Sequence, residues 1–293
     1  MRRVALSALL AAMCSALAPG SAGAAPPRGL EDVEAWAFAI GNGNLNGDAE
    51  AVGERLGAFD LVVVDGEEAS PAEVAAIRSQ GATVLAYLSV GTIERWRGWY
   101  DRVRRFRLAA WKDWQDEWFA DVSRAGLRRI IADDVAPGIL AKGFDGLFLD
   151  NVDMIEMRAH RRQRAGMRRL VARLDRLLGD ERLLFAQNGF WGLRKFGIFE
   201  HLDGWNREDV TWTYDFDRHR YVRGRPRETR WALEELEKVA ARGLLTTATD
   251  YTRRGGGAAE AEAVANACGA GALPYVSDIG LTIRRLPDSP LRC

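Results

Sequence analysis

Short apolar runs that break off into polar residues recur along this chain. Residues 62–65 end in Asp65, 84–89 in Ser89, 147–150 in Asp150, 184–188 in Asn188, 205–208 in Glu208 and 245–250 in Asp250. Runs of about four to eight such residues, bounded by turn formers, read as buried strands. Together with the runs near each end they predict strands at 35–40, 61–65, 84–89, 147–150, 183–188, 204–208, 244–250 and 272–277. Side chains alternate along a strand, so Phe148 and Asp150 share one face while Leu147 and Leu149 share the other.

Helical signals fall between the strands. Ser70-Pro71-Ala72-Glu73 joins an N-cap serine, a first-turn proline and a glutamate that can reach back to the cap, and Gly81 ends that helix. Further helices are predicted at 155–178, 228–242 before Gly243, and 258–268 before Gly269. Strand and helix therefore alternate, as in a TIM-type (β/α)8 barrel, with an open doubly wound sheet as the alternative. Only a short tail follows the eighth strand, so the last helix is expected to be short or missing. Residues 94–133 exceed what a crossover needs and carry Trp96, Trp99, Trp111, Trp114 and Trp118. They predict an insertion on the face of the barrel where the strands end, with an extra short strand at 119–122.

The beginning of the chain follows a different pattern. Arg2 and Arg3 precede an apolar run too short to span a bilayer, and Ala22-Gly23-Ala24 fits a small-residue cleavage site. Residues 1–24 are thus expected to be a signal peptide, 25–34 a tether and 35–293 one barrel domain, secreted or periplasmic after cleavage. Met13 before Cys14 is a poor lipoprotein signal, so stable membrane insertion is not expected. Acidic and basic residues are equal in number in the full chain, 41 each. Loss of Arg2 and Arg3 leaves a small negative excess and no basic tail, which disfavours nucleic acid. Cys268 and Cys293 remain, free to pair in an oxidising compartment or to stay as thiols.

Elimination narrows the chemistry. The three histidines, His160, His201 and His219, are too scattered for a hydrolytic metal site, and no metal or other cofactor is expected. None of Lys112, Lys142, Lys195 and Lys238 falls in a predicted strand, and no Gly-x-Ser-x-Gly elbow occurs. The glycine turn at 253–257 precedes a helix and offers phosphate binding as a minor alternative. What remains is a cleft of carboxylates at strand ends, with Asp150 and Glu208 best placed to face each other across a glycosidic bond. Asp153 and Asp209 are the rivals, since a shift of one residue would exchange Glu208 with Asp209.

At these residues the sequence becomes familiar. The segments 86–97 and 143–153, the triplet Gln187-Asn188-Gly189 and the Glu208 strand together resemble glycoside hydrolase family 114, the endo-α-1,4-polygalactosaminidase-like barrels. The resemblance implies a barrel that cleaves galactosamine-containing exopolysaccharide with retention, Asp150 being the nucleophile and Glu208 the acid/base. Polysaccharide is then the expected partner. Asp65, Tyr87, Glu94, Trp96, Arg97, Asp153, Asn188 and Asp250 become candidates for holding it. Trp96, just past a strand end, could stack on a sugar ring. A catalytically silent carbohydrate-binding barrel is the competing reading; it would need aromatic platforms but no opposed carboxyls.

Overall fold

A computed structural model describes residues 30–41, 43–253, 255–281 and 290–293. The expected signal peptide and the first half of the tether lie outside the described residues. Thirteen strands are described: β1 (Trp36–Phe38), β2 (Leu61–Asp65), β3 (Thr83–Ser89), β4 (Thr92–Glu94), β5 (Arg107–Ala110), β6 (Glu117–Ala120), β7 (Gly146–Asp150), β8 (Leu183–Gln187), β9 (Gly204–Glu208), β10 (Trp212–Asp215), β11 (Arg220–Arg223), β12 (Leu245–Tyr251) and β13 (Leu273–Ser277). Eight of them form one parallel sheet in the order β1-β2-β3-β7-β8-β9-β12-β13. This is the TIM-type barrel that the alternation predicted. Among the described residues no helix follows β13.

The crossover helices are α1 (Ala49–Leu56), α2 (Pro71–Ser79), α3 (Tyr100–Val103), α4 (Ala125–Arg129), α5 (Ala136–Leu140), α6 (Arg164–Leu178), α7 (Phe190–Lys195), α8 (Pro226–Ala240) and α9 (Ala258–Gly269). The predicted capping box opens α2: Ser70 Oγ accepts from the Glu73 amide (3.2 Å) and Glu73 Oε2 from the Ser70 amide (2.7 Å). Helix 155–178 is only partly α-helical. The chain first makes 3₁₀ turns and becomes α-helical at Arg164, after which Met167, Leu170, Val171, Leu174 and Leu178 form the buried stripe. Helix α9 is tied to the tail, because Cys268 near its end and Cys293 form a disulfide with Cα atoms 5.4 Å apart.

Two halves of the barrel interior differ in chemistry. Around β1, β3, β7 and β13 it is aromatic: the Phe38 ring lies 5.0 Å from Phe148 and 6.2 Å from Tyr87, and Trp36 lies 5.6 Å from Tyr275. Around β8, β9 and β12 the same inward positions carry Gln187, Asn206, Thr247 and Thr249, which are buried and hydrogen-bonded to one another.

Two excursions interrupt the strand-helix rhythm. Between β3 and β7, β4-β6-β5 form a small antiparallel sheet. The extra strand is therefore Glu117–Ala120, beginning two residues before the predicted one, and it has two partners. The sheet is seated on the barrel through Gly91, where a Cβ would stand 1.8 Å from the Asn151 carbonyl oxygen, a contact open only to glycine. Between β9 and α8, β10 and β11 make a hairpin that the apolar pattern did not suggest.

Candidate active site

Three adjacent strands, β7, β8 and β9, end alike. The next residue in each case, Asn151, Asn188 and Asp209, has a positive φ of 59°, 57° and 56°. Asn and Asp tolerate this left-handed conformation better than other non-glycine residues. The chain turns sharply away at each end and leaves Asp150, Gln187 and Glu208 as the last inward side chains.

Asp150 is held by four hydrogen-bond donations. Tyr87 Oη donates to Oδ2 (2.7 Å), Gln187 Nε2 to Oδ1 (3.0 Å), the Asn151 amide to Oδ1 (2.6 Å) and Asn151 Nδ2 to Oδ2 (3.1 Å). The orientation of Gln187 is fixed from behind. Thr247 and Thr249 hydroxyls donate to Asn206 Oδ1 (3.0 and 3.2 Å), so the Asn206 amino group donates to Gln187 Oε1 (2.8 Å) and leaves the Gln187 amino group for Asp150. Burial raises the Asp150 carboxyl above its ordinary value, and the bonds from Tyr87, the Asn151 amide and Gln187 offset part of that rise.

Glu208 receives less. Asn188 Nδ2 donates to Oε2 (2.9 Å) and the Tyr251 hydroxyl to Oε1. Burial, then the charges of Asp150 and Asp209, push its carboxyl up to about 8 against those two bonds. Both carboxyls are thus raised by burial, Asp150 against more donors than Glu208, so the donor count favours Asp150 as the group of the pair that ionises first. Both tyrosines are raised well above the ordinary phenol range, chiefly by burial, and remain donors.

Beside this pair lies a second buried group. Arg97 Nη1 reaches both Asp65 oxygens (2.8 and 2.7 Å), while Nε and Nη2 reach Glu94 (2.5 and 3.2 Å). Asp65 also accepts from the Glu67 and Glu68 amides (2.9 and 3.0 Å). Opposite Glu94 in the β4-β6 ladder stands Glu117, likewise buried, whose carboxyl burial and then Glu94 and Asp150 push up to about 8.

The structure thus brings Asp150, Glu208, Tyr87 and Asn188 together and sets Asp65, Glu94 and Arg97 alongside them. Trp96 lies past β4 with 53% of its surface exposed. Asp153 sits in the turn after β7, against Gly189, and its carboxyl is pushed up to about 7 by burial, Asp150 and Glu156. Asp250 stands apart: strand parity puts it on the outer side of β12, where Oδ1 accepts from the Thr211 and Trp212 amides, both at 2.6 Å. Asp209 is exposed, and its side chain bonds Thr213 rather than reaching inward. In the glycine turn the Gly256 amide is occupied by Glu260 (2.9 Å), an anion where a phosphate would have to bind.

Tyr251, Gln187, Asn206 and Glu117 were not among the expected site residues. Parity could have found the first three. Tyr251 falls on the same face as Thr247 and Thr249, and Asn206 on that of Glu208.

Comparison with known proteins bears on the fold and the family. A protein of Deinococcus radiodurans, described only as uncharacterized, is 26% identical over 245 residues, covering 76% of this chain and 74% of that protein. The fold is similar to the glycoside hydrolase domain of PelA from Pseudomonas aeruginosa, with a TM-score of 0.69, 24% identity and coverage of 85% of this chain and 96% of that one. It is also similar to Aspergillus fumigatus Ega3 in complex with galactosamine, with a TM-score of 0.65, 15% identity and coverage of 85% and 92%. The sequence profile of glycoside-hydrolase family GH114 matches residues 15–268, so the chain belongs to that family and is a glycoside hydrolase.

Proposed function

We propose that this glycoside hydrolase cleaves an α-linked, galactosamine-containing polysaccharide with retention at the anomeric carbon. Asp150 attacks that carbon as the carboxylate, and Glu208 protonates the departing glycosidic oxygen. A sugar ester forms on Asp150. Glu208, now ionised, takes a proton from water, whose oxygen attacks the anomeric carbon and releases Asp150. The reading rests most on the unequal support of the two buried carboxyls, four donors on Asp150 against two on Glu208.

The substrate class is supported by likeness to a fold captured with galactosamine. It is supported also by Asp65, Glu94 and Asp150 near the strand ends, which outnumber the one guanidinium among them, Arg97, and leave an acidic excess that favours a cationic amino sugar. Trp96 offers a stacking surface, Tyr87 and Asn188 hold the two carboxyls, and the Arg97 group supports the wall beside them. Export is part of the proposal, and the Cys268–Cys293 disulfide suits an oxidising compartment.

The test uses an α-1,4-linked galactosamine polymer. Asp150→Asn and Glu208→Gln should each fold and lose about a hundredfold or more of the activity. Proton NMR should show the α anomer released first. Activity within a few-fold of wild type in both variants, or a β product, would overturn the assignment.

A further inference from the structure

The two excursions from the barrel touch each other at their tips. The first arm, the β4-β6-β5 sheet, leaves the barrel between β3 and β7. Its root is fixed beside Asp150, where the Val90 amide donates to the Asp150 carbonyl (3.1 Å) and the Ala120 amide to the Gly91 carbonyl (2.9 Å). The second arm, the β10-β11 hairpin, leaves between β9 and β12. Asp250 fixes its base through the Thr211 and Trp212 amides, and the Ile279 amide donates to Tyr221 Oη (3.1 Å). Along this hairpin Tyr221, Tyr214 and Phe216 form a column of edge-on rings 5.0 and 5.2 Å apart.

At the ends of the arms, Lys112 Nζ meets Asp217 Oδ1 at 2.9 Å and the Trp114 ring meets the Phe216 ring at 5.5 Å, inclined by 65°. Between the two roots, in sheet order, stand β7, β8 and β9, the strands that end in Asp150, Gln187 and Glu208. Contact at the tips therefore completes a ring of protein across the rim above those three strands. The roots are buried or tied by backbone bonds. The tip is not: Lys112 and Asp217 are about three-quarters exposed, at 77% and 76%, and Trp114 is 40% exposed. An exposed ion pair contributes little, so the tip is where the ring gives way.

We propose that Lys112, Trp114, Phe216 and Asp217 form a clasp that must open for a long polysaccharide to reach Asp150 and Glu208, whereas a short oligosaccharide threads beneath it. The clasp thereby sets the enzyme's discrimination between polymer and fragment. This rests on the reading of the substrate as a polymer. It adds that entry of the chain, as with other lids, is a conformational step separable from the chemistry.

The experiment uses Lys112→Cys/Asp217→Cys, with the native cysteines left in their disulfide, bridged by a short bis-maleimide. Bridging should lower cleavage of high-molecular-weight polymer by about tenfold or more and leave cleavage of a short galactosamine oligosaccharide within about twofold. A Trp114→Ala/Phe216→Ala variant should cleave the polymer faster than wild type. Equal loss on both substrates, or no loss on polymer, overturns the clasp. Failure of the unbridged enzyme on every galactosamine substrate overturns the substrate reading instead. In that case the clasp is judged by the distance between spin labels at positions 112 and 217, where two populations support it and one fixed short distance rejects it.

Discussion

Two groups of buried carboxyls share the rim of this barrel, and they are neutralised in opposite ways. Asp65 and Glu94 enclose Arg97, whose side chain is only 4% exposed. Burial works against the guanidinium charge, and the two acids more than restore it. That group is complete. Asp150 and Glu208 have no guanidinium between them; neutral donors hold them, namely tyrosines, amides and one backbone N–H. A charge balanced by a countercharge is fixed, while a charge balanced by dipoles can still move a proton. The contrast suits the first group to scaffold and the second to the chemistry proposed for it.

The largest effect should come from breaking the complete group. Arg97→Met leaves two buried acids without their cation at a cost of about 3–5 kcal/mol, which a melting curve should register as a fall on the order of 10 °C. Glu208→Gln should do the reverse. Its folded carboxyl titrates near 8, above its unfolded value, so the folded state holds the extra proton. The stability Glu208 contributes is complete below the unfolded pKa and is lost as pH rises towards 8. Melting temperature against pH should decline over that window in wild type and decline less in the Gln variant. Parallel curves would mean that Glu208 is not the buried proton holder.

Next comes Tyr251→Phe. It removes a bond that lowers the Glu208 carboxyl, so the alkaline limb of the activity profile should move to higher pH while kcat falls by about tenfold. The smallest effect is expected from Thr247→Val, because Thr249 still donates to Asn206. Stability should change by about 1 kcal/mol or less and kcat by no more than a few-fold. A large kcat loss there would mean that the relay to Gln187 depends on both hydroxyls.

Much of the fold was legible because each barrel strand is a short apolar run with a polar end, and because glycines close the helices. Asp150 and Glu208 were visible for the same reason. What stayed hidden depended on an end or a partner. The sequence pattern ends the seventh strand at Asp250, one residue short of Tyr251, although alternation makes Tyr251 the inward residue and Asp250 the outward one. Glu117 lies in a segment whose strongest sequence signal is its five tryptophans. They separate only in three dimensions: Trp111 stacks on Phe119 in the interior, Trp99 lies over Arg97, Trp118 packs on Tyr100, Trp114 reaches the other arm and Trp96 stays exposed. The β10-β11 hairpin alternates polar and aromatic residues without an apolar run. Pairing of the two cysteines depends on the distance between α9 and the tail, which sequence spacing does not contain.

The strand order also has an end. Among the described residues no backbone ladder joins β13 to β1; the gap is bridged by Trp36 Nε1 donating to the Leu273 carbonyl (3.0 Å) and by Asn44 and Gly41 bonding the Leu281 carbonyl (2.7 and 3.2 Å). In the circle of eight strands this seam lies opposite β7 and β8. A barrel that breathes at its seam spends its flexibility far from the carboxyl pair, so deuterium should enter β1 and β13 before β7, β8 and β9, and the protein can yield on one side while the reacting groups on the other keep their spacing.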